Sequence, residues 1–433
     1  MSQKEEDASK IIADATCTRC GCLCDDIELR VEGSRITDAK RACPLGTEWF
    51  LDHRVEERPA CVIDGKPVSL ETGMDRAAEI LKAAKNPLVY GLSNTAVESQ
   101  RIAVSIADWI GANLDTTSSI GQGPATLAFQ NVGEVTCSLG EVRNRADFVM
   151  FWGSDPETSH PRHFGKYSLA PKGMFLPNGR EDRYCVVVDV RETESAKAAD
   201  LFIQVKPDSD FEALWTLRAL ANDVDLDPEA VLAQTGQPIT EWQNLMERMK
   251  SSNYGVIFFG MGLTGTRGKH ANNEAMLTLT RDMNRHTRFS CKPNRGQGNI
   301  TGADNVVSWR TGFPFGVNLG RGFPRFNPGE YTAPELLARG EADAALVVAS
   351  DPMQDFGAPA CQHLKSIPLI SIDPKETATT RAAEVAFYVS TYGINTPGTV
   401  YRMDDVSIPL RPALESPLPS EFEILHGIEQ RVR

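Results

Sequence analysis

One order of short motifs, run through twice, constrains this chain more than any other feature. The stretch "SSIGQGPAT" holds Gly121–Gly123, and "PNRGQGNIT" holds Gly296–Gly298. After the first come "FWGSDPETS" (Phe151–Ser159) and "DVRETESAKAAD" from Asp189. After the second come "VVASDPMQD" (Val347–Asp355) and "DPKETATTRAAE" from Asp373. Apolar runs precede these motifs: "PLVYGLS", "ADFVMFWGSDP", "YCVVVDV", "YGVIFFG", "DAALVVASDP" and "PLISIDP". Runs apolar on both faces mark strands covered on both sides, as in a parallel sheet. Amphipathic stretches at Asn94–Ala112 and Lys269–Arg285 supply covering helices. The expected fold is therefore α/β, with parallel-sheet domains in two similar halves. Motifs at the carboxyl ends of strands sit where open α/β sheets place ligands. The plainer role for the same Ser and Asp is to cap the helices that follow.

With 433 residues there is room for two or three domains. The expected division is a flexible N-terminus (1–15), a small cysteine-bearing module with a β-hairpin (16–60), a first α/β region (61–253), a second (254–398) and a C-terminal extension (399–433). That extension is Pro-rich, lacks a long periodic element, and is expected to be a strand and tail lying over a surface such as a partner's. Acidic residues number 58 against 45 basic, a formal net charge of −13. Nucleic acid and anionic membranes select clustered positive charge, so neither is an expected partner. No apolar run approaches the roughly 18 residues of a membrane span, and "MSQKEEDASKIIADA" lacks the apolar core of a signal peptide. A cytoplasmic location is the expectation. There, ten cysteines do not read as a disulfide framework.

Four of those cysteines have a pattern of their own. Cys17, Cys20 and Cys24 lie in "DATCTRCGCLCDDIELRVEG", and Cys43 follows in "RACPLGTEWF". Three close thiols and a distant fourth fit ligation of a 4Fe–4S cluster. Structural zinc, whose ligands usually come as two close pairs, is one alternative, and an empty, vestigial site is another. Cys22 is surplus to the pattern. The cysteines bracket a hairpin formed by "DIELRVEG" and "RITDAK", turning at Gly33. So short a hairpin needs a metal, or packing on a larger body, to hold it.

Two further segments carry candidate chemistry. "SHPRHFGKYS" holds His160, Arg162 and His163; two histidines three apart can ligate a metal or hold an anion, but the expectation is that they cap a helix or are left from a former cofactor face. "TGTRGK" (Thr264–Lys269) offers backbone N–H groups with Arg267 and Lys269 to an anion. Its glycine and lysine spacing is not that of a Walker A loop.

"CTRCGCLCDDI" with "ACPLGTEWF", the long stretch from "GPATLAFQNVGEV" to "HPRHFGKYS", and "GMGLTGTRGKHANNEAMLTLTRDMNRHTRFSCKPNRGQGNITG" resemble the B subunit of formylmethanofuran dehydrogenase. That family is similar to the molybdopterin and tungstopterin oxidoreductases, so the resemblance implies a formate dehydrogenase/DMSO reductase-like fold over nearly the whole chain. It also implies a metal-ligating cysteine and a catalytic histidine just before the first G-P. Here those positions hold Gly121 and Gln122. Glycine offers a metal no side chain, and a glutamine amide does not exchange protons near neutral pH. Arg295 corresponds to the family's nearby arginine.

The resemblance thus implies no functional Mo/W-pterin and no catalytic residue. Arg267, Lys269 and Arg295 are left as vestigial pterin contacts or carrier contacts. It points to the B subunit of the bacterial formyltransferase/hydrolase complex of methylotrophic formaldehyde oxidation. In that complex the formyltransferase (D) subunit moves the formyl group from formyl-tetrahydromethanopterin to a methanofuran-type carrier. The amidohydrolase-type (A) subunit then releases formate, alongside a C subunit. This chain would be the non-redox scaffold that positions hydrolase and carrier, its four cysteines structural or inherited. The alternatives are an active tungsten or molybdenum dehydrogenase subunit whose ligand comes from Ser118 or water, and an Fe–S electron-transfer subunit.

Overall fold

The structure, a computed structural model, describes residues 9–54 and 57–433. Ten strands build two parallel sheets: β1 (Pro87–Gly91), β2 (Asn113–Thr116), β3 (Phe148–Trp152), β4 (Tyr184–Asp189), β5 (Leu201–Gln204), β6 (Tyr254–Phe259), β7 (Arg288–Pro293), β8 (Ala344–Val348), β9 (Leu369–Asp373) and β10 (Val385–Tyr388). One sheet has the order β7-β6-β3-β4-β5, parallel throughout. The other is centred on β2-β1-β8-β9-β10, also parallel. Antiparallel edges extend it to nine strands, with Val317–Asn318 and Arg325–Phe326 beyond β2 and Cys61–Ile63 and Lys66–Pro67 beyond β10.

The two orders expose an exchange. Along the chain each repeat reads strand, strand, GQG, then three strands: β1-β2 then β3-β4-β5, and β6-β7 then β8-β9-β10. In space the opening pair of each repeat joins the closing trio of the other. The chain accordingly divides into a nine-strand unit, which runs up to Ile120 and resumes at Gln297, and a five-strand unit, Gly121–Gly296. Both junctions fall at the GQG tripeptides. The boundary expected at 253/254 instead lies inside the five-strand unit, immediately before β6. Motif similarity marks the repeat, but hydrogen bonding and burial mark the unit.

Every residue of β1, β3, β6, β8 and β9 is buried, as their unbroken apolar runs require. β2, β5, β7 and β10 escape a reading based on apolar runs because they are short or polar. Buried β2, "NLDT", is tolerable because its polar groups are bonded. Asp115, for example, accepts from Gly316 N and Ala333 N at 3.0 and 2.7 Å. Helices at Val97–Trp109 and His270–Met283 lie within the expected stretches.

Two terminal expectations need correction. Residues 1–8 lie outside the described residues, but Lys10–Ala15 is a strand paired antiparallel with Ile27–Glu32, not a flexible lead. With Arg35–Lys40 it completes a three-stranded module, turned at Gly33, whose φ is +56°. At the other end, Gly398–Tyr401 and Ser407–Leu410 form a hairpin. Glu421–Val432 is a 12-residue helix that sends Ile424, Leu425 and Ile428 into the core. Its Ser420/Glu423 capping box, "SEFE", is the local signal for this helix start.

Candidate functional site

The cysteine loop is built around one glycine and one leucine. A Cβ placed on Gly46 would stand 3.3 Å from Cys17 Sγ and 3.7 Å from Cys43 Sγ, so both thiols border the space which that glycine leaves. Cys17 N donates to Cys24 O at 2.9 Å, closing the loop. Burial pushes the Cys17 thiol well above its usual range, and the Cys20, Cys24 and Cys43 thiols add to this. The Cys20, Cys24 and Cys43 thiols therefore lie near Cys17, and surplus Cys22 lies beside Cys20. Among the described residues no three His, Cys, Asp or Glu side chains are grouped closely enough to hold a single metal ion. Leu23 ties the loop to the nine-strand unit. Fully buried, it packs with Tyr392, Val400, Ile408 and Leu410. Packing, the second of the expected anchors, is thus present.

The SDP and D-x-x-E-T motifs are wired alike in both units. Asp155 accepts from Ser195 N at 3.0 Å and Ser195 Oγ at 2.5 Å. Asp351 accepts from Thr379 N at 2.9 Å and Thr379 Oγ1 at 2.6 Å. The same hydroxyls receive Glu157 N at 3.1 Å and Met353 N at 3.2 Å. Neither SDP aspartate caps the helix that follows it; each instead pins the short helix after the neighbouring strand.

At the first junction, Gln122 is only 4% exposed, and its Oε1 has no hydrogen-bond partner. Its Nε2 lies 3.8 Å from Met261 Sδ. A Cβ on Gly121 would meet that sulfur at 3.6 Å, an ordinary contact. Ser118 is engaged elsewhere, donating to both Asp304 oxygens at 2.7 and 2.8 Å. Buried Arg295 accepts at its backbone carbonyl from His160 Nε2 at 2.8 Å. His163 packs edge-on against Phe258, with ring centroids 4.6 Å apart, and its Nδ1 lies 3.0 Å from Ser168 Oγ. The two histidines therefore serve separate structural bonds. In the TGTRGK loop the amide of Arg267 already donates to Asp208 at 3.0 Å, while the Arg267 and Lys269 side chains are exposed.

The second SDP and D-x-x-E-T face a cavity of about 850 Å³ in the nine-strand unit, whose walls include Trp49, His53, Asp351, Asp373 and Lys375. Burial, helped by the Lys375 and Arg54 charges, lowers His53 to about 4, so the imidazole is neutral near pH 7. Burial raises Asp373 to about 7. Lys375 Nζ stands 5.5 Å from the Trp49 ring centroid. Sequence reading named only the motifs here; Trp49 and His53 had as their signal only a place just after Cys43.

No family model matches the chain. It is 41% identical, over 98% of its own length and 99% of the relative's, to the B subunit of the tungsten-containing formylmethanofuran dehydrogenase 2 of Methanocaldococcus jannaschii. This chain belongs to the formylmethanofuran dehydrogenase B-subunit family. A second such subunit, from Methanococcus maripaludis, is 38% identical over 98% of the chain and 99% of the relative. The B subunit of the formyltransferase/hydrolase complex of Methylorubrum extorquens is 26% identical over 86% of the chain and 97% of the relative. Among solved structures, the complex from that organism with methylofuran matches with TM-score 0.71 and 22% identity, over 86% of this chain and 98% of that one. Acetylene hydratase from Pelobacter acetylenicus matches with TM-score 0.69 and 11% identity, over 97% and 69%. These likenesses show the fold expected from the sequence. By identity this B subunit lies nearer the two dehydrogenase relatives than the Methylorubrum one. Its expected nearness to the latter therefore rests on Gly121 and Gln122.

Those two residues do not fit the metal named in the dehydrogenase relatives. Where the resemblance implies a sulfur ligand and a proton carrier, Gly121 has no side chain and Gln122 carries an amide whose oxygen is orphaned beside the Met261 thioether, and Ser118 is committed to Asp304. Of the expected cluster ligands Cys17, Cys20, Cys24 and Cys43, Cys17 and Cys43 border one space beside Gly46, and a cluster held there would supply one-electron transfer.

Proposed function

We propose that this B subunit is a non-redox member of a formyl-transferring and hydrolysing assembly in one-carbon metabolism. The observation that carries this reading is the pair Gly121–Gln122. In this reading a formyltransferase subunit loads a methanofuran-type carrier from formyl-tetrahydromethanopterin, and an amidohydrolase-type subunit releases formate. A further subunit joins them, and the assembly works in the cytoplasm. This chain positions the carrier and the hydrolase, and its four cysteines are structural or inherited. Exposed Arg267 and Lys269 are the carrier contacts, matched to a carrier whose tail bears carboxylates. Replacing both with Ala is expected to lower carrier retention in the purified assembly, and unchanged retention would remove them from the reading.

The deciding experiment is metal analysis of the assembly purified through a tag on this chain, alongside two activity assays. The expectation is tungsten and molybdenum far below one per chain, formate release from formyl-tetrahydromethanopterin, and no formate-linked dye reduction. Stoichiometric tungsten with dye reduction would overturn it. That result is the second reading, an active dehydrogenase subunit, favoured by 41% identity to a relative named tungsten-containing.

A further inference from the structure

One guanidinium organises an entire surface loop of the five-strand unit. Arg183, only 4% exposed, donates Nη1 to the carbonyls of Leu169, Pro171 and Gly179 at 3.0, 2.7 and 2.8 Å. Its Nη2 donates to Arg143 O at 2.7 Å. Inside that frame Gly173 and Leu176 exchange backbone hydrogen bonds of 3.0 and 3.2 Å, closing a turn with Met174 and Phe175 at its tip. Met174 N donates to Asn144 Oδ1 and Phe175 N to Asn144 O, both at 3.0 Å. A Cβ on Gly173 would lie 2.2 Å from Arg143 O, so the turn rests directly on the backbone beneath it.

This bracing holds two apolar side chains out in water. Met174 is 78% exposed and Phe175 58%, the highest values for large apolar residues among the described residues. A flexible loop could fold such side chains back; this one is pinned at both of its tip amides. Rigid display of adjacent apolar groups removes most of the ordering cost of docking, which is how an anchor residue gains affinity. The surroundings are basic on a chain of net charge −13. The Arg145 guanidinium stands 5.0 Å from the Phe175 ring centroid, and Arg143 and Lys172 are exposed nearby.

We propose that the Met174–Phe175 turn is a docking anchor for a protein partner that offers an apolar pocket rimmed by carboxylates. The inference rests on the reading of this chain as part of an assembly, and it adds where one partner sits. The reading of this chain as part of an assembly favours a protein over a membrane, and the vesicle arm of the test separates the two.

The test uses the assembly purified from its own cells through a tag on this chain. Phe175 is replaced by a photo-crosslinking phenylalanine analogue, and M174E/F175E and R143E/R145E/K172E are prepared in parallel. The expected result is a crosslink from position 175 to a peptide of another chain of the assembly. Recovery of that same chain should fall at least tenfold with M174E/F175E, and salt-dependently with the charge-reversed variant. Thermal unfolding by circular dichroism should be unchanged, since these side chains lie in solvent. Full recovery of every partner from both variants, with no crosslink to another chain, overturns the anchor and leaves the assembly reading standing. A crosslink to a second copy of this chain, or wild-type binding to phosphatidylglycerol vesicles that M174E/F175E lacks, also overturns it. If the unsubstituted chain recovers no partner, both inferences fall.

Discussion

The two repeats spell the same motifs and wire their aspartates alike, yet the units diverge at the residues beside those motifs. The residue before SDP is Gly153 in one unit and Ala349 in the other, and both have left-handed backbone, at φ +53° and +48°. The aspartate that opens D-x-x-E-T is half-buried as Asp189 but buried as Asp373, where it faces the cavity. At the junctions, Gln122 keeps an orphaned Oε1, whereas Gln297 accepts from Thr117 Oγ1 at 2.7 Å. The shared wiring is thus frame, and the divergent neighbours are where each unit acquired its own demands. An Asp kept in both halves tells less about function than a Gln satisfied in one and not in the other.

The sharpest way to break the comparison is at Gly153. A Cβ there would stand 2.5 Å from Leu263 N and 2.6 Å from Gly262 C, both backbone, and the left-handed φ would add strain. Gly153→Ala should cost more than about 4 kcal/mol, or prevent folding, by denaturant unfolding. Its counterpart already carries the methyl group. An effect below about 1 kcal/mol would mean that the two positions are interchangeable.

The next largest effect separates the two D-x-x-E-T aspartates by pH. Burial raises Asp373 from 3.8 to about 7, and burial, with the Asp373 charge, raises Glu421 from 4.5 to about 8. Both groups keep their protons longer in the folded chain than in the unfolded one. Their stabilisation is therefore complete below about pH 4 and is lost as pH rises through about 7 and 8. Within that window each group contributes a fall of about 1.4 kcal/mol per pH unit. Asp373→Asn with Glu421→Gln should flatten the curve of unfolding free energy against pH between 4 and 8. Asp189→Asn, at a half-buried site, should change it less. Equal flattening by both would erase the distinction.

How much of this was legible beforehand follows from what each signal measures. The longer strands buried on both faces, β1, β3, β6, β8 and β9, were visible as apolar runs, because burial alone selects their composition. β2 was not, since "NLDT" is buried by hydrogen bonding, and partners such as Ala333, 218 residues from Asp115, leave no local trace. The motif repeat was legible, but its exchange of strand pairs was not, because nothing in β1 or β6 records which trio it will join. At the candidate site the four cysteines were found by spacing, and the structure sets Cys17 and Cys43 beside one space at Gly46. Gly121 and Gln122 were legible only as departures from a family pattern. The cavity wall at His53 and the Arg183 brace arise from contacts that no short motif encodes.

Two smaller effects test whether the frame is truly shared. Asp155→Ala and Asp351→Ala each remove an acceptor from the start of a short helix, and each should cost about 1–2 kcal/mol. The two values should agree within about 0.5 kcal/mol. A gap larger than that would mean that matching bonds do not carry matching free energy.

Ala349→Gly gives the smallest effect and the only expected gain. Alanine at φ +48° pays for a left-handed backbone that glycine adopts freely, a penalty of roughly 1–2 kcal/mol. Glycine returns part of this to the unfolded chain, whose entropy it raises by roughly 0.4–1 kcal/mol. The net expectation is stabilisation of about 0.5–1 kcal/mol, read as a higher denaturant midpoint at unchanged slope. Ala349 is buried, with only 4% exposed, so its methyl group also contributes packing that glycine would forfeit. If packing dominates, the sign reverses. The nine-strand unit would then have kept the methyl group for its contacts, where the five-strand unit has no space for one.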